Sequence, residues 1–354
     1  MGTTDKSAKE ALGWLRFVLN PETAMPTVTD WPAVKDFAKK QALIGICRPQ
    51  TRPDSLDEDL YLQWMVPVYQ LERLNLKLTK RIELLFDLFE KDGFPCCLLK
   101  GEGNASLYPN PLRRVAGDID LWLDTDEATA YQYVQKQFPD EKGTRKHIHF
   151  PLFEDGQVDV HVMPLKFYSG IHSIRFRQWV AQNKADQFAN TIRLHGTSRD
   201  ICIPTVRFNA VYQLGHMLIH LLDEGMVLRQ VVDYFYVLKH LAVTESERAE
   251  LAGTIDSFGM MRFASAIMWI ERDVLGLPAG QCIVEPNKRR GAKLLKDILE
   301  GGNFGEQRRK RRKGKGLYYT GLLAIWRYIT LLPIAPREGI ARICLKIRTA
   351  ITKR

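Results

Sequence analysis

Between residues 94 and 163 the apolar residues leave helical spacing for short runs and strict alternation, and that change of period bounds the fold. Residues 94–99 form a short apolar run that reads as a buried strand, and residues 101–108 read as a short helix ending at Pro109. GDIDLWL (117–123) alternates polar and apolar positions, as a half-buried strand does. Thr125 or Asp126 is placed to cap a helix running through Ala130 to about Gln137. Two more strands are expected at 146–153 and 157–163, joined across Glu154-Asp155-Gly156, where Asp-Gly marks a hairpin.

The flanks are helical. Trp14, Leu15, Phe17 and Val18, then Trp31, Val34, Phe37 and Ala38, recur at helical spacing. A turn at 51–55 precedes another helical run, residues 70–92 predict a long amphipathic helix closed by Gly93, and residues 208–280 return to helical periodicity. Residues 288–315 read as a polar connector, followed by a helical stretch from 317 that is broken around 333–336. The expected class is α+β: a small mixed β-sheet with helical N-terminal and C-terminal regions. The expected divisions are a helical region over 1–75, the sheet-bearing core over 76–200, a helical domain bordering a cleft over 201–287, and a basic connector with C-terminal helices over 288–354.

The formal charge of +10 is unevenly placed. Residues 288–354 hold 19 Lys and Arg against 4 Asp and Glu, whereas residues 1–287 hold 32 basic against 37 acidic side chains. A mildly acidic body therefore carries a strongly basic tail. The six cysteines form no CxxC pair and no zinc spacing, so they are expected to be reduced structural thiols. The N-terminus lacks a basic segment followed by an unbroken apolar run, and residues 316–336 are interrupted by Arg327 and Pro333. The expectation is a cytoplasmic protein, peripheral to the membrane if the tail binds lipid.

Chemistry concentrates on the two alternating strands. Residues two apart on a strand share a face, so Asp118 and Asp120 point together while Ile119 and Leu121 enter the core. In QVDVHV, Asp159 and His161 share one face in the same way. Two adjacent carboxylates repel unless a cation lies between them, and hard Mg²⁺ takes oxygen ligands. A third carboxylate on a neighbouring strand would complete a clamp for phosphoryl chemistry. The alternative is an ordinary exposed strand face.

The ordered run LLKGEGNASLYPNPLRRVAGDIDLWL, with HIHF and VDVHV after it, resembles the nucleotidyltransferase superfamily. It is most similar to a poorly characterised bacterial family with the pattern Lys-Gly, Leu-Tyr-Pro, Arg, then Asp-x-Asp. The likeness covers residues 98–162 and continues more loosely through 218–238. It implies a nucleotidyltransferase core in which Asp118, Asp120 and Asp159 are catalytic and hold Mg²⁺ or Mn²⁺. It further implies transfer of a nucleoside monophosphate from a nucleoside triphosphate to an acceptor, with release of pyrophosphate. The superfamily's Gly-Ser turn is replaced here by Lys100-Gly101-Glu102-Gly103. Gly101 and Gly103 permit close backbone approach to phosphate, Lys100 adds charge, and Glu102 opposes it. A catalytically inactive nucleotide-binding or regulatory module of the same fold is the competing reading.

Supporting residues divide between site and scaffold. Arg114, rather than its neighbour Arg113, stands at the family's arginine and is expected to contact triphosphate. Of His147, His149 and His161, alternation favours His161 beside Asp159; the three lack a clear fourth ligand for zinc. His216 and His220, at i,i+4 among apolar neighbours, read as core or interface histidines, and Arg229 with Asp233 as an ion pair. Residues 308–315 (RRKRRKGK) and the stripe Ile340, Ile343, Cys344, Ile347, Ile351 leave two readings open. Segment 308–315 is either a solvated connector or a contact for nucleic acid or an anionic membrane, and the helix over 337–354 either lies on such a membrane or docks its stripe on the protein's own core.

Overall fold

The computed structural model describes residues 3–141, 147–302 and 317–352. The N-terminal helices α1 (Thr3–Leu19) and α2 (Trp31–Lys40) pack through Trp14 and Trp31, whose rings meet edge-on at 4.9 Å. The Trp14 indole donates to the Cys47 carbonyl at 2.7 Å, which satisfies the polar atom of a buried ring. Helix α3 (Glu58–Lys91) starts twelve residues before the predicted 70–92 and runs through Pro67. The missing Pro67 N–H interrupts the pattern seen in sequence, but the core face Trp64, Val68, Leu71, Leu78, Ile82 continues across it. Gly93, at φ +82°, ends the helix in a left-handed conformation that a Cβ would disfavour.

The main sheet has the order β1-β2-β4-β3, from β1 (Cys96–Leu99), β2 (Ile119–Leu123), β3 (Ile148–His149) and β4 (Val158–His161). β1 pairs antiparallel with β2, β2 parallel with β4, and β3 antiparallel with β4, so the sheet is mixed as expected. Helix α4 (Gly101–Ala105) follows β1, and α5 (Glu127–Gln137) connects β2 to β3, capped by Asp126. β3 is shorter than the predicted 146–153. Pro151 has no N–H for the ladder, so pairing stops after the Phe150 N–H bond to Val158, and only the Phe153–Gly156 bridge closes the turn. Lys146 lies outside the described residues. Helix α6 (Gly170–Ala189) and a small ribbon, β5 (Thr191–Ile192) with β6 (Ile201–Cys202), complete this part.

Helices α7 (Val206–Asp223), α8 (Leu228–His240), α9 (Glu245–Ser257), α10 (Met261–Trp269) and α11 (Lys288–Gly301) follow. Residues 288–301 are thus helical rather than a connector. The charged composition masks an inward stripe of Gly291, Leu294 and Ile298, and Trp269 lies against Gly291 so closely that a Cβ would collide with it. The basic run 308–315 lies outside the described residues. Two helices, Leu317–Leu331 and Pro336–Thr352, flank the expected break at 333–336. The second is anchored by Glu338, which is buried, pairs with His172 at 2.6 Å and accepts from the Tyr168 amide. Its opposite face leaves Ile340 and Ile347 exposed, so the apolar stripe is only partly docked. Among the described residues no helix is long and apolar enough to cross a membrane, and all six cysteines are free thiols.

One connected apolar core extends from Ala11 to Ala335. Inside it Glu271 is fully buried, with no hydrogen-bond partner for either carboxylate oxygen among the described residues, on a π-helical turn after α10. Burial pushes its carboxyl well above the ordinary value of 4.5. The unfolded chain therefore releases this proton at a pH where the folded chain retains it, so the group lowers stability as pH rises above that value. Glu271→Leu is expected to raise stability by about 1–3 kcal/mol at pH 8, with the gain shrinking towards pH 4. Urea unfolding across that range is the check; a gain independent of pH refutes the assignment.

Candidate active site

Strand register brings the carboxylates together. Asp120 on β2 stands directly opposite Asp159 on β4, and His149 on β3 stands opposite Asp159 on its other side. Residues paired across adjacent strands face the same way, so Asp120, Asp159 and His149 form one row. Asp118 precedes β2 by one residue and lines the cleft, open to solvent on one side and partly desolvated on the other. Asp120 and Asp159 are only 7% and 4% exposed, a costly arrangement for two carboxylates without compensation.

Compensation comes from cations and donors around them. The Lys100 ammonium lies 2.9 Å from Asp120 Oδ2, and His161 Nε2 lies 2.8 Å from Oδ1. Burial alone would raise the Asp120 carboxyl, but Lys100 and His161 hold it well below the usual range. Gln157 Nε2 donates to both Asp159 oxygens at 3.0 and 3.2 Å, while His147 and His149 approach the same carboxylate at 3.7 and 3.5 Å. His161 therefore binds Asp120 diagonally across the strand pair, one step from the predicted neighbour Asp159.

Lys100 is delivered by a strained turn. Its φ of +55° is one that side-chain-bearing residues avoid, and it caps the five-residue α4. Such strain persists only where the surroundings over-determine it, here through Asp120 and His216, whose Nε2 lies 2.9 Å from the same ammonium. Gly101 lines the cleft with Lys100. Gly103 faces inward, where a Cβ would stand 3.3 Å from Ile203. Glu102 is buried near Arg114 and Arg229, and burial raises its carboxyl.

Arg114 is buried at the border of the cleft, with its guanidinium engaged by Asp233. Its Nε and Nη2 donate to the two Asp233 oxygens at 2.7 and 2.9 Å, and the Tyr108 hydroxyl adds a 2.6 Å bond to Oδ1. Burial would lower the Arg114 guanidinium, but Asp233 raises it above its ordinary value. Asp233 is thus chiefly the partner of Arg114 instead of serving only Arg229. Arg229 Nη1 donates to the Val115 and Ala116 carbonyls at 2.8 and 3.0 Å and so holds the segment leading into Asp118. Burial, then the neighbouring Arg114, brings the Arg229 guanidinium down to about 10.

The cleft encloses about 600 Å³, with α7 and α8 forming the wall across from the carboxylates. His216 and His220, read in sequence as core or interface histidines, line it, their Nε2 atoms 3.1 Å apart. The signal available in sequence was the polar stripe Gln213, His216, His220 at i, i+3, i+7 on an otherwise apolar helix.

One observation bears on whether a divalent cation suits the donor set. Asp118 has no hydrogen bond or ion pair among the described residues, and its acidity is weakened by burial and by Asp120 and Asp159 beside it. That surplus of negative charge among oxygen donors is what a hard cation neutralises. Among the described residues no three His, Cys, Asp or Glu side chains already stand as a metal cage, since Lys100 and His161 occupy the Asp120 oxygens.

A small mixed sheet carrying a carboxylate row, faced by helices across a cleft, defines an α+β protein with a candidate phosphoryl-transfer site. The chain belongs to the family described as uncharacterised nucleotidyltransferase, whose model matches residues 27–276. A crystal structure of an antigenic nucleotidyltransferase-like protein from Paracoccidioides brasiliensis is similar at 12% identity and a TM-score of 0.36, over 60% of this chain and 95% of that one. No curated protein matches the chain.

Proposed function

We propose that this cleft binds a nucleoside triphosphate with Mg²⁺ or Mn²⁺ and transfers the nucleoside monophosphate to an acceptor hydroxyl. The observation that carries the reading is the in-register pairing of Asp120 with Asp159, with Asp118, which has no hydrogen bond or ion pair among the described residues, at their edge. An acceptor oxygen bonds to the α-phosphorus, the bond from that phosphorus to the bridging oxygen breaks, and pyrophosphate leaves. When bound, the metal neutralises phosphate charge and is held by Asp118, Asp120 and Asp159. Asp159, steadied by Gln157, takes the acceptor proton on a carboxylate oxygen. His161 fixes the rotamer of Asp120. Lys100 moves from Asp120 towards the phosphates, and the Gly101 amide region borders them. Arg114 and Arg229 act behind this layer by holding the segment that presents Asp118.

The ion pair between Lys100 and Asp120 favours a second reading, a nucleotide-binding module without turnover. Calorimetry with each nucleoside triphosphate and Mg²⁺, alongside transfer of α-labelled nucleotide in cell extract, separates the two. Metal-dependent binding with label transfer, both lost in Asp118→Ala/Asp120→Ala, is the expected result. Binding without transfer sinks the enzyme reading, and no binding sinks both.

A further inference from the structure

Helix α3 buries one face and leaves a second apolar stripe on the face opposite. Leu62, Met65, Val66, Tyr69 and Leu76 are 51%, 40%, 57%, 62% and 39% exposed, at spacings that keep them on one side of the helix. Trp64, Val68, Leu71, Asn75 and Leu78 occupy the core side. Single exposed apolar residues need no explanation, but five on one helical stripe mark a surface that is covered by something.

The charges on the same stripe say what covers it. Glu58 sits at its N-terminal end, and Arg73 and Lys80, both exposed, sit in its second half, Lys80 also pairing with Glu83 at 3.0 Å while its side chain stays 60% exposed. Tyr69 is midway between Leu62 and Leu76, and also midway between Glu58 and Lys80. A two-fold axis through Tyr69 therefore sets Leu62 against Leu76 and Glu58 against Lys80 of the second copy, twice each. A parallel pairing would set Glu58 against Glu58 and Lys80 against Lys80. Such self-complementarity is the requirement for an isologous two-fold contact. The stretch from Glu58 to Lys80 is about 33 Å long, enough for a continuous helix–helix seam.

We propose that a second copy of this chain docks antiparallel along α3, with the two-fold axis at Tyr69. The full chain is expected to sediment as a dimer at micromolar concentration. Glu58→Lys or Lys80→Glu is expected to weaken the dimer on the order of tenfold, because each change acts twice across the axis. The two changes together restore opposite charges and are expected to return dissociation to within about threefold of wild type. Leu62→Asp/Leu76→Asp gives a monomer with an unchanged melting temperature at low protein concentration. Tyr69→Cys in a Cys282→Ser/Cys344→Ser background oxidises readily to a disulfide-linked pair. A monomer at high concentration, a double charge change that fails to restore the dimer, or failure of Tyr69→Cys to cross-link overturns the proposal. None of these readouts depends on nucleotide transfer.

Discussion

Asp118→Asn is expected to cut nucleotide transfer by at least about a hundredfold while leaving stability unchanged or raised, whereas Asp120→Asn is expected to cut both. The two aspartates stand two residues apart but meet opposite surroundings. Asp118 has no hydrogen bond or ion pair among the described residues, and its ionised form is disfavoured by burial and by the neighbouring carboxylates. Removing its charge relieves repulsion in the folded state and removes an oxygen ligand from the proposed metal site. Asp120 instead accepts from Lys100 and His161, so a neutral amide there leaves two donors facing lost charge. Thermal melting together with α-labelled transfer checks both arms. Equal destabilisation by the two substitutions contradicts this account of the charge balance, and full transfer by Asp118→Asn removes Asp118 from the site.

Arg114→Met is expected to destabilise the fold by about 3–5 kcal/mol, the usual cost of stranding one member of a buried ion pair. Arg114 and Asp233 are each 4% exposed, and their neighbour Arg229 is 7% exposed. With Arg114 gone, Asp233 keeps the Tyr108 hydroxyl and the nearby charge of Arg229 but loses its paired guanidinium. Asp233→Asn is expected to cost a comparable amount, and Arg114→Met/Asp233→Asn less than the sum, because the second change removes the stranded charge. Urea unfolding of the three variants measures the coupling. Additive losses mean that the pair is not the stabilising unit. A fold left intact but with weakened triphosphate binding in Arg114→Met instead returns Arg114 to the ligand-contact role suggested by the family pattern.

The site was unevenly legible. Alternation in GDIDLWL and QVDVHV was enough to place Asp118 with Asp120, and Asp159 with His161, because a strand has only two faces. It did not say which residues of the two strands would meet. The register sets Asp120 opposite Asp159 and sends His161 diagonally to Asp120, a choice made between strands forty residues apart in sequence rather than within either one. Lys100 was legible as a charge near a glycine turn, but its role as the neutraliser of Asp120 depends on the strained φ that aims it. His216 and His220 looked like core residues because their neighbours Met217, Leu218 and Ile219 are apolar, and only the packing of α7 against the cleft reveals their exposure to it.

The helical flanks show the same division. Periodicity located α3 as two helical runs, one after the 51–55 turn and one over 70–92, which the structure joins through Pro67. It also located the break between the last two helices, yet charge hid the inward stripe of α11. Local sequence thus placed most of the element types, a cap at Thr125 or Asp126 that the structure assigns to Asp126, and the clustering of carboxylates on one strand face, since these depend on contacts within a few residues. Tertiary structure alone decided which strand lies beside which, that Arg114 serves Asp233, and that Lys100 rests on Asp120. Those outcomes depend on burial and on partners far away in the chain, whose charges interact strongly only once packing has excluded water between them.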